Sequence, residues 1–175
     1  HRGQESSGVA ASDGKEIRLV RQMGLVSRLT EFMSEHGEPV GHAAIGHVRY
    51  STAGASSLLN AQPMLCQYSG GDLALAHNGN IVNSDTLKRR LMNDGHLFQS
   101  STDSEVLLHL VAAHRGPTLS DRVAAMMEDA RGAYSLVLMG RDEMVAARDP
   151  YGFRPLVLGT LDGATVVASE TTSLN

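Results

Sequence analysis

"ALAHNGN", residues 74–80, sets an apolar run directly against His77, Asn78, Gly79 and Asn80. The run predicts a strand over residues 72–78, with Asn-Gly at its end. One use of that dipeptide is a hairpin turn, because Asn and Gly accept the positive φ such turns require. The other use is chemical. An amide side chain and a backbone N–H at a strand end can together hold a developing oxyanion.

The flanking sequence predicts more strands on both sides. Residues 7–11 and 16–20 flank Asp13-Gly14, a hairpin-type turn signal. "AAIGHVRY" (43–50) is bounded by Gly-rich loops, and "MLCQY" (64–68) is a weaker candidate. Residues 133–139, 143–148, 155–159 and 164–169 follow at short spacing and predict an antiparallel meander. Helices fall in the middle. Residues 84–95 place Leu87 and Leu91 one turn apart and stop at Gly95. Residues 104–116 gather Val106, Leu107, Leu110 and Val111 on one face and stop at Gly116. Residues 118–132 open with Thr118 three before Asp121, close to a capping box. A shorter helix covers 26–37. Strands, then helices, then strands favour α+β layers over alternating βαβ units.

Bulk composition narrows the classes. A chain of 175 residues makes one ordinary domain, and 42% apolar with 19% charged residues is globular. The net charge of -4 comes without a Lys/Arg block, so no electrostatic footprint for nucleic acid is present. No apolar run approaches a bilayer span and no signal-peptide pattern opens the chain. The single cysteine, Cys66, rules out an internal disulfide framework and fits a reducing cytosol. The start at His1 and the stop after "VVASETTSLN" suggest a segment of a longer polypeptide.

Candidate chemistry is thin when each motif is taken alone. The eight histidines include no metal-ligand spacing: His42 and His47, like His109 and His114, are five apart. No phosphate-cradling glycine motif occurs. Cys66 lies in a strand-like run without a basic neighbour, the setting of a buried apolar thiol rather than a nucleophile. Arg49 closes "AIGHVRYSTAG". It is either a solvated charge or a bidentate clamp for a carboxylate. Asp103, in "SSTDSE", is either a helix cap or a partner for an ammonium group. Taken together, a carboxylate clamp, an ammonium partner and an oxyanion hole are what gripping a free α-amino acid requires while its side-chain carbonyl is attacked. The attacker is missing.

"HRGQESSG", "GHVRYSTAG", "AHNGN", "SSTDSE" and "RDPYGFRPLVLG" occur in that order over nearly the whole chain. The sequence resembles the N-terminal glutaminase domain of the amidophosphoribosyltransferase family, within the class II (N-terminal-nucleophile) glutamine amidotransferases. The resemblance implies an α+β Ntn-hydrolase fold, a four-layer αββα sandwich of two antiparallel sheets. It implies that Arg49 holds the glutamine α-carboxylate, Asp103 meets the α-ammonium, and Asn78 and Gly79 form the oxyanion hole. Tyr50, Ser51 and Thr52 would line the same pocket, and Arg2 would support it. The family's nucleophile is a cysteine on a strand upstream of His1, and Cys66 falls at no matching position. Ammonia would pass to a C-terminal phosphoribosyltransferase domain, also outside residues 1–175, where Mg2+ is expected, to form phosphoribosylamine. No cofactor is expected in this segment. Thr171 and Thr172 stand where some members carry an iron–sulfur cysteine, so no such cluster is expected. A cytoplasmic homo-oligomer follows by the same resemblance, with glutamine as ligand and neither nucleic acid nor membrane as partner. The alternatives are another class II amidotransferase with a different acceptor, or a regulatory glutamine-binding domain without a nucleophile.

Overall fold

The computed structural model describes residues 5–50 and 57–174. Arg2, Ser51 and Thr52 therefore lie outside the described residues. β1 (Ser6–Ser12) and β2 (Ile17–Met23) form the expected hairpin. Asp13 Oδ1 accepts from the N–H of Lys15 at 2.8 Å and of Glu16 at 3.0 Å, which fixes the turn. β3 (Ala43–Arg49) pairs antiparallel on the other side of β1, giving the order β2-β1-β3. Between them α1 (Val26–His36) buries Leu29 and packs against β1 and β2.

The second sheet contains β4 (Met64–Tyr68), β5 (Gly71–Ile81), β6 (Gly132–Met139) and β7 (Met144–Arg148), in that spatial order and antiparallel throughout. Three helices connect β5 to β6. α2 (Ser84–Asn93) buries Leu87 and Leu91, and α3 (Asp103–Ala113) is buried along most of its length. α4 (Leu119–Asp129) opens on the capping box that the sequence predicts, with Thr118 and Asp121 each satisfying the other's backbone N–H.

β5 decides the layering, because its two faces carry different residue sizes. Leu73 and Leu75 join the core made with Leu107, Leu110 and Met126 of the helices. Ala74 and Ala76 point the other way, into a cluster with Ala10 and Ile45 of the first sheet. Large aliphatics fill the sheet–helix gap, each contributing about 1.5–3 kcal/mol on full burial. Small residues let the two sheets approach. The result is α1, sheet, sheet, then α2–α4: the α+β four-layer sandwich. Among the described residues no helix is long and apolar enough to cross a membrane.

Three expectations are corrected. The strand does not end at Asn78; β5 runs through Asn78-Gly79-Asn80 to Ile81, paired all the way with β6. The hairpin-turn alternative is thereby removed, because pairing with β6 overrides the local Asn-Gly signal. α3 stops at Ala113, with His114 as its cap, three residues before Gly116. The C-terminal meander is broken after β7. β8 (Val157–Leu161) and β9 (Ala164–Ala168) form a separate two-stranded ribbon, closed by Asp162 and Gly163 at φ 50° and 82°. The break is organised by buried Asp149, whose carboxylate accepts from the N–H groups of Tyr134, Tyr151, Phe153 and Arg154 at 3.1–3.3 Å. Burial pushes the Asp149 carboxyl up, but these four donors outweigh it and hold it below the ordinary value.

Candidate active site

A cleft of about 780 Å³ opens between the end of β3, the far half of β5 and the start of α3. Its walls include Arg49, Tyr50, Asn78, Gly79, Asp103 and Arg154. The sheet alternation sets what β5 shows to it. Tyr134, opposite Gly79, turns its backbone toward β7: its N–H donates to Asp149 and its carbonyl accepts from the Asp149 N–H at 2.9 Å. Gly79 therefore sits in a non-hydrogen-bonded pair, with its N–H directed away from β6. On that outer edge the His77 N–H is taken by Gln62 Oε1 at 2.7 Å and the Ile81 N–H by Asp103 Oδ2 at 2.8 Å. The Gly79 N–H lies between these two and faces the cleft.

Only glycine fits there. Gly79 has φ +149°, and a Cβ on it would lie 2.1 Å from the Ala133 carbonyl oxygen. Asn78 points to the opposite face, the one that carries Ala74 and Ala76. One residue thus offers a side-chain amide and the next a backbone N–H.

Arg49 ends β3 and is buried. Its Nη1 donates to Glu5 Oε1 at 2.8 Å, which ties the guanidinium to the residue that precedes β1. Glu5 Oε2 is buried and has no hydrogen-bond partner among the described residues. Tyr50, the next residue, is 64% exposed at the rim. Asp103 is the first residue of α3, whose N-cap is Thr102, so the capping alternative does not describe it. One oxygen serves Ile81; the other lies 3.6 Å from His77 Nδ1, beyond hydrogen-bond range.

Beneath the cleft sit two buried histidines. His47 Nε2 lies 3.0 Å from the His77 carbonyl, which can only accept, so the proton is on Nε2. His77 Nδ1 shares a hydrogen bond with Ser104 Oγ at 3.0 Å. Burial drives the His47 imidazole down to about 4, helped by the neighbouring His77. Burial also lowers His77, against the upward pull of Asp103. Both rings are neutral near pH 7. Cys66 lies outside the cleft on β4. Burial, with Asp72 and Glu105 adding to it, pushes its thiol up to about 11, far from a thiolate. Among the described residues no cluster of three or more His, Cys, Asp or Glu is arranged to hold a metal ion.

The family profile described as "glutamine amidotransferase domain" matches residues 47–175. The chain belongs to the glutamine amidotransferase domain family. This amidotransferase domain is 47% identical, over all of its length, to 31% of amidophosphoribosyltransferase 1, chloroplastic, of Arabidopsis thaliana. It is 44% identical to the amidophosphoribosyltransferase of Rhizobium etli, again over 100% of this chain and 35% of that one. Among solved structures, glutamine phosphoribosylpyrophosphate amidotransferase from Bacillus subtilis superposes with a TM-score of 0.91 at 42% identity. That match covers 99% of this chain and 37% of that one. The domain thus spans about a third of the length of these relatives.

Arg49, Tyr50, Asn78, Gly79 and Asp103 are brought together in the amidotransferase domain as the sequence suggests. Sequence reasoning missed Glu5, Gln62, His77 and Arg154. His77 left a signal: it is a polar residue in the Leu73, Leu75 register, on a face otherwise filled by core. Gln62 left only the juxtaposition of two amides, Asn60 and Gln62, before Pro63.

Proposed function

We propose that this domain is the glutaminase part of an amidophosphoribosyltransferase. It hydrolyses glutamine through a cysteine thioester and delivers the ammonia to phosphoribosyl pyrophosphate, yielding 5-phosphoribosylamine in the first committed step of purine synthesis. The Gly79 N–H, turned out of the sheet beside Asn78 and facing the same cleft as Arg49 and Asp103, is the observation that carries this reading. In it, Arg49 takes the α-carboxylate, Asp103 Oδ1 the α-ammonium, and Asn78 with Gly79 the oxyanion. Tyr50 stands at the rim.

The nucleophile is a cysteine on a strand supplied from upstream of residue 1. Support comes from a second cavity of about 300 Å³ between β3 and β9, walled by Gly46, His47, Val166 and Val167 and floored by Ala76 and Asn78. β3 is the outer strand of its sheet among the described residues, and the β8–β9 ribbon stands apart from both sheets. An extended segment there would pair with both and end beside Asn78. Its α-amine, with a pKa of about 8, takes the thiol proton. The thiolate attacks the side-chain carbonyl, the tetrahedral oxyanion rests on Asn78 and Gly79, and ammonia departs with the proton. Water then releases glutamate from the thioester.

Ammonia transfer belongs to a C-terminal phosphoribosyltransferase domain, which would use Mg2+; in this reading the present domain takes no cofactor, and Thr171 and Thr172 supply no iron–sulfur ligand. A cytoplasmic homo-oligomer is part of the same proposal. The test is steady-state glutamine hydrolysis by the full polypeptide. Arg49→Ala raises KM at least about tenfold, the worth of a lost charge-assisted contact. Asn78→Ala lowers kcat by about 10²–10³ with KM little changed. Unaltered KM in the first variant would remove the clamp, and unaltered kcat in the second would remove the glutaminase reading.

A further inference from the structure

β4 starts at Met64, opposite Leu75, and Pro63 before it has no N–H with which to extend the ladder. Past Leu75, the outer edge of β5 has lost its neighbouring strand, and the backbone groups of buried His77 need partners there. Gln62 supplies them for His77. Its Oε1 accepts from the His77 N–H at 2.7 Å and its Nε2 donates to the His77 carbonyl at 3.2 Å. One side-chain amide thus makes the pair of bonds that a residue of an adjacent strand would make. Gln62 is 6% exposed, and among the described residues both of its side-chain hydrogen bonds go to this one residue.

The amide is itself fixed from behind. Arg21 Nη1 donates to the Ala61 carbonyl at 2.7 Å, and the Gln62 carbonyl oxygen sits only 2.5 Å from where a Cβ on Gly8 would stand. Asn60, two residues earlier, brackets Ser101: its Nδ2 donates to Ser101 Oγ at 3.0 Å and its Oδ1 accepts from the Ser101 N–H at 3.2 Å. The 60–63 segment is therefore seated on the first sheet and braces both β5 and the loop that leads to Asp103.

We infer that Gln62 is a positioning residue for the oxyanion hole. By standing in for a strand at His77, it sets the peptide plane that leads into Asn78 and leaves the next outward N–H, that of Gly79, open to the cleft. This rests on the glutaminase reading above. Gln62 lines the cleft, but its side-chain hydrogen bonds go to His77, the residue before Asn78, so its loss is felt where charge develops rather than where glutamine is first held. A shift of about 1 Å in such donors is enough to cost on the order of a hundredfold in rate.

The experiment is glutamine hydrolysis by the full polypeptide carrying Gln62→Met, which keeps the volume and removes both bonds. The expected result is kcat lower by roughly tenfold to a hundredfold with KM within about twofold of the parent. Unchanged kcat, or a rise confined to KM, overturns the inference. Should Gln62→Met fail to fold, Gln62→Glu decides. Ionised, the introduced carboxylate would still accept from the His77 N–H but would set a second negative oxygen against the His77 carbonyl. Protonated, it would donate there as glutamine does. The ratio of variant to parent kcat therefore climbs as pH falls from about 8.5 to 5.5 while the KM ratio stays flat, the direction expected for a buried carboxyl. A kcat ratio independent of pH overturns the inference. Asn78→Ala, run alongside, keeps the two readings apart. If it spares kcat, the glutaminase reading fails; if it lowers kcat while the Gln62 variants do not, only the role of Gln62 falls.

Discussion

Asp103 has two oxygens with two separate tasks, and a pair of substitutions pulls them apart. Oδ2 holds the Ile81 N–H at 2.8 Å and closes the edge of β5. Oδ1 lies 3.6 Å from His77 Nδ1 on a residue that lines the cleft, and in the proposed reading it takes the ligand ammonium. Asp103→Asn keeps an oxygen for Ile81 and removes the charge. A charge-assisted hydrogen bond becomes a neutral one, which costs the fold only about 1 kcal/mol. Binding of the ammonium loses roughly 1.5–3 kcal/mol, so KM for glutamine rises about 10- to 150-fold. Asp103→Ala loses the same binding and also strands the Ile81 N–H, at about 1–3 kcal/mol. At about 2–4 °C per kcal/mol for a chain of this size, Tm then drops by roughly 2–12 °C. Glutamate release against glutamine concentration gives the first quantity, and scanning calorimetry the second. An Asn variant that takes up glutamine as tightly as the parent would refute the ammonium pairing. An Ala variant with the parent's Tm would refute the edge-closing role.

Three further outcomes are expected. Gly79→Ala drives a Cβ to 2.1 Å from the Ala133 oxygen and 2.7 Å from Tyr134 Cα at a φ of +149°, so overpacking and strain together cost about 2–6 kcal/mol; a chemical denaturation midpoint equal to the parent's would contradict this. Cys66→Ala leaves glutamine hydrolysis within about twofold, and the native Cys66 thiol, pushed up to about 11, reacts slowly with a disulfide reagent at pH 8 until the protein is unfolded; fast native labelling would count against it. The buried His47 titrates at about 4 when folded and 6.5 when not, so the unfolded chain binds the extra proton first. Its contribution, on the order of 3 kcal/mol, is complete above pH 6.5 and is lost as pH falls toward 4; a flat urea midpoint between pH 7 and 5 would rule it out.

What was legible in the sequence was whatever short-range chemistry decides. The Thr118–Asp121 box starts α4, and Asp13-Gly14 turns β1 into β2, because each signal is satisfied by atoms two or three residues away. The turn alternative at Asn78-Gly79 falls away because β6, more than fifty residues downstream, supplies a partner that no local rule can see. The separation of the β8–β9 ribbon was invisible for the same reason. It depends on one carboxylate, Asp149, collecting N–H groups from both sides of the break. That Arg49, Asn78 and Asp103 belong together was legible, and they line one cleft. Glu5 was not, since its meaning lies in an ion pair with a residue forty-four positions away. Gln62 was not, since its side chain does the work of a main chain.

The shortness of β4 has a consequence for anyone reshaping this domain. Exposed strand borders are normally blunted or covered, and a stabilising redesign would be drawn to lengthen β4 past Pro63 so that it runs beside the whole of β5. Such a change would add ladder bonds and raise the melting point. It would also hand the Gly79 amide a carbonyl of its own, trading turnover for order at a single peptide group.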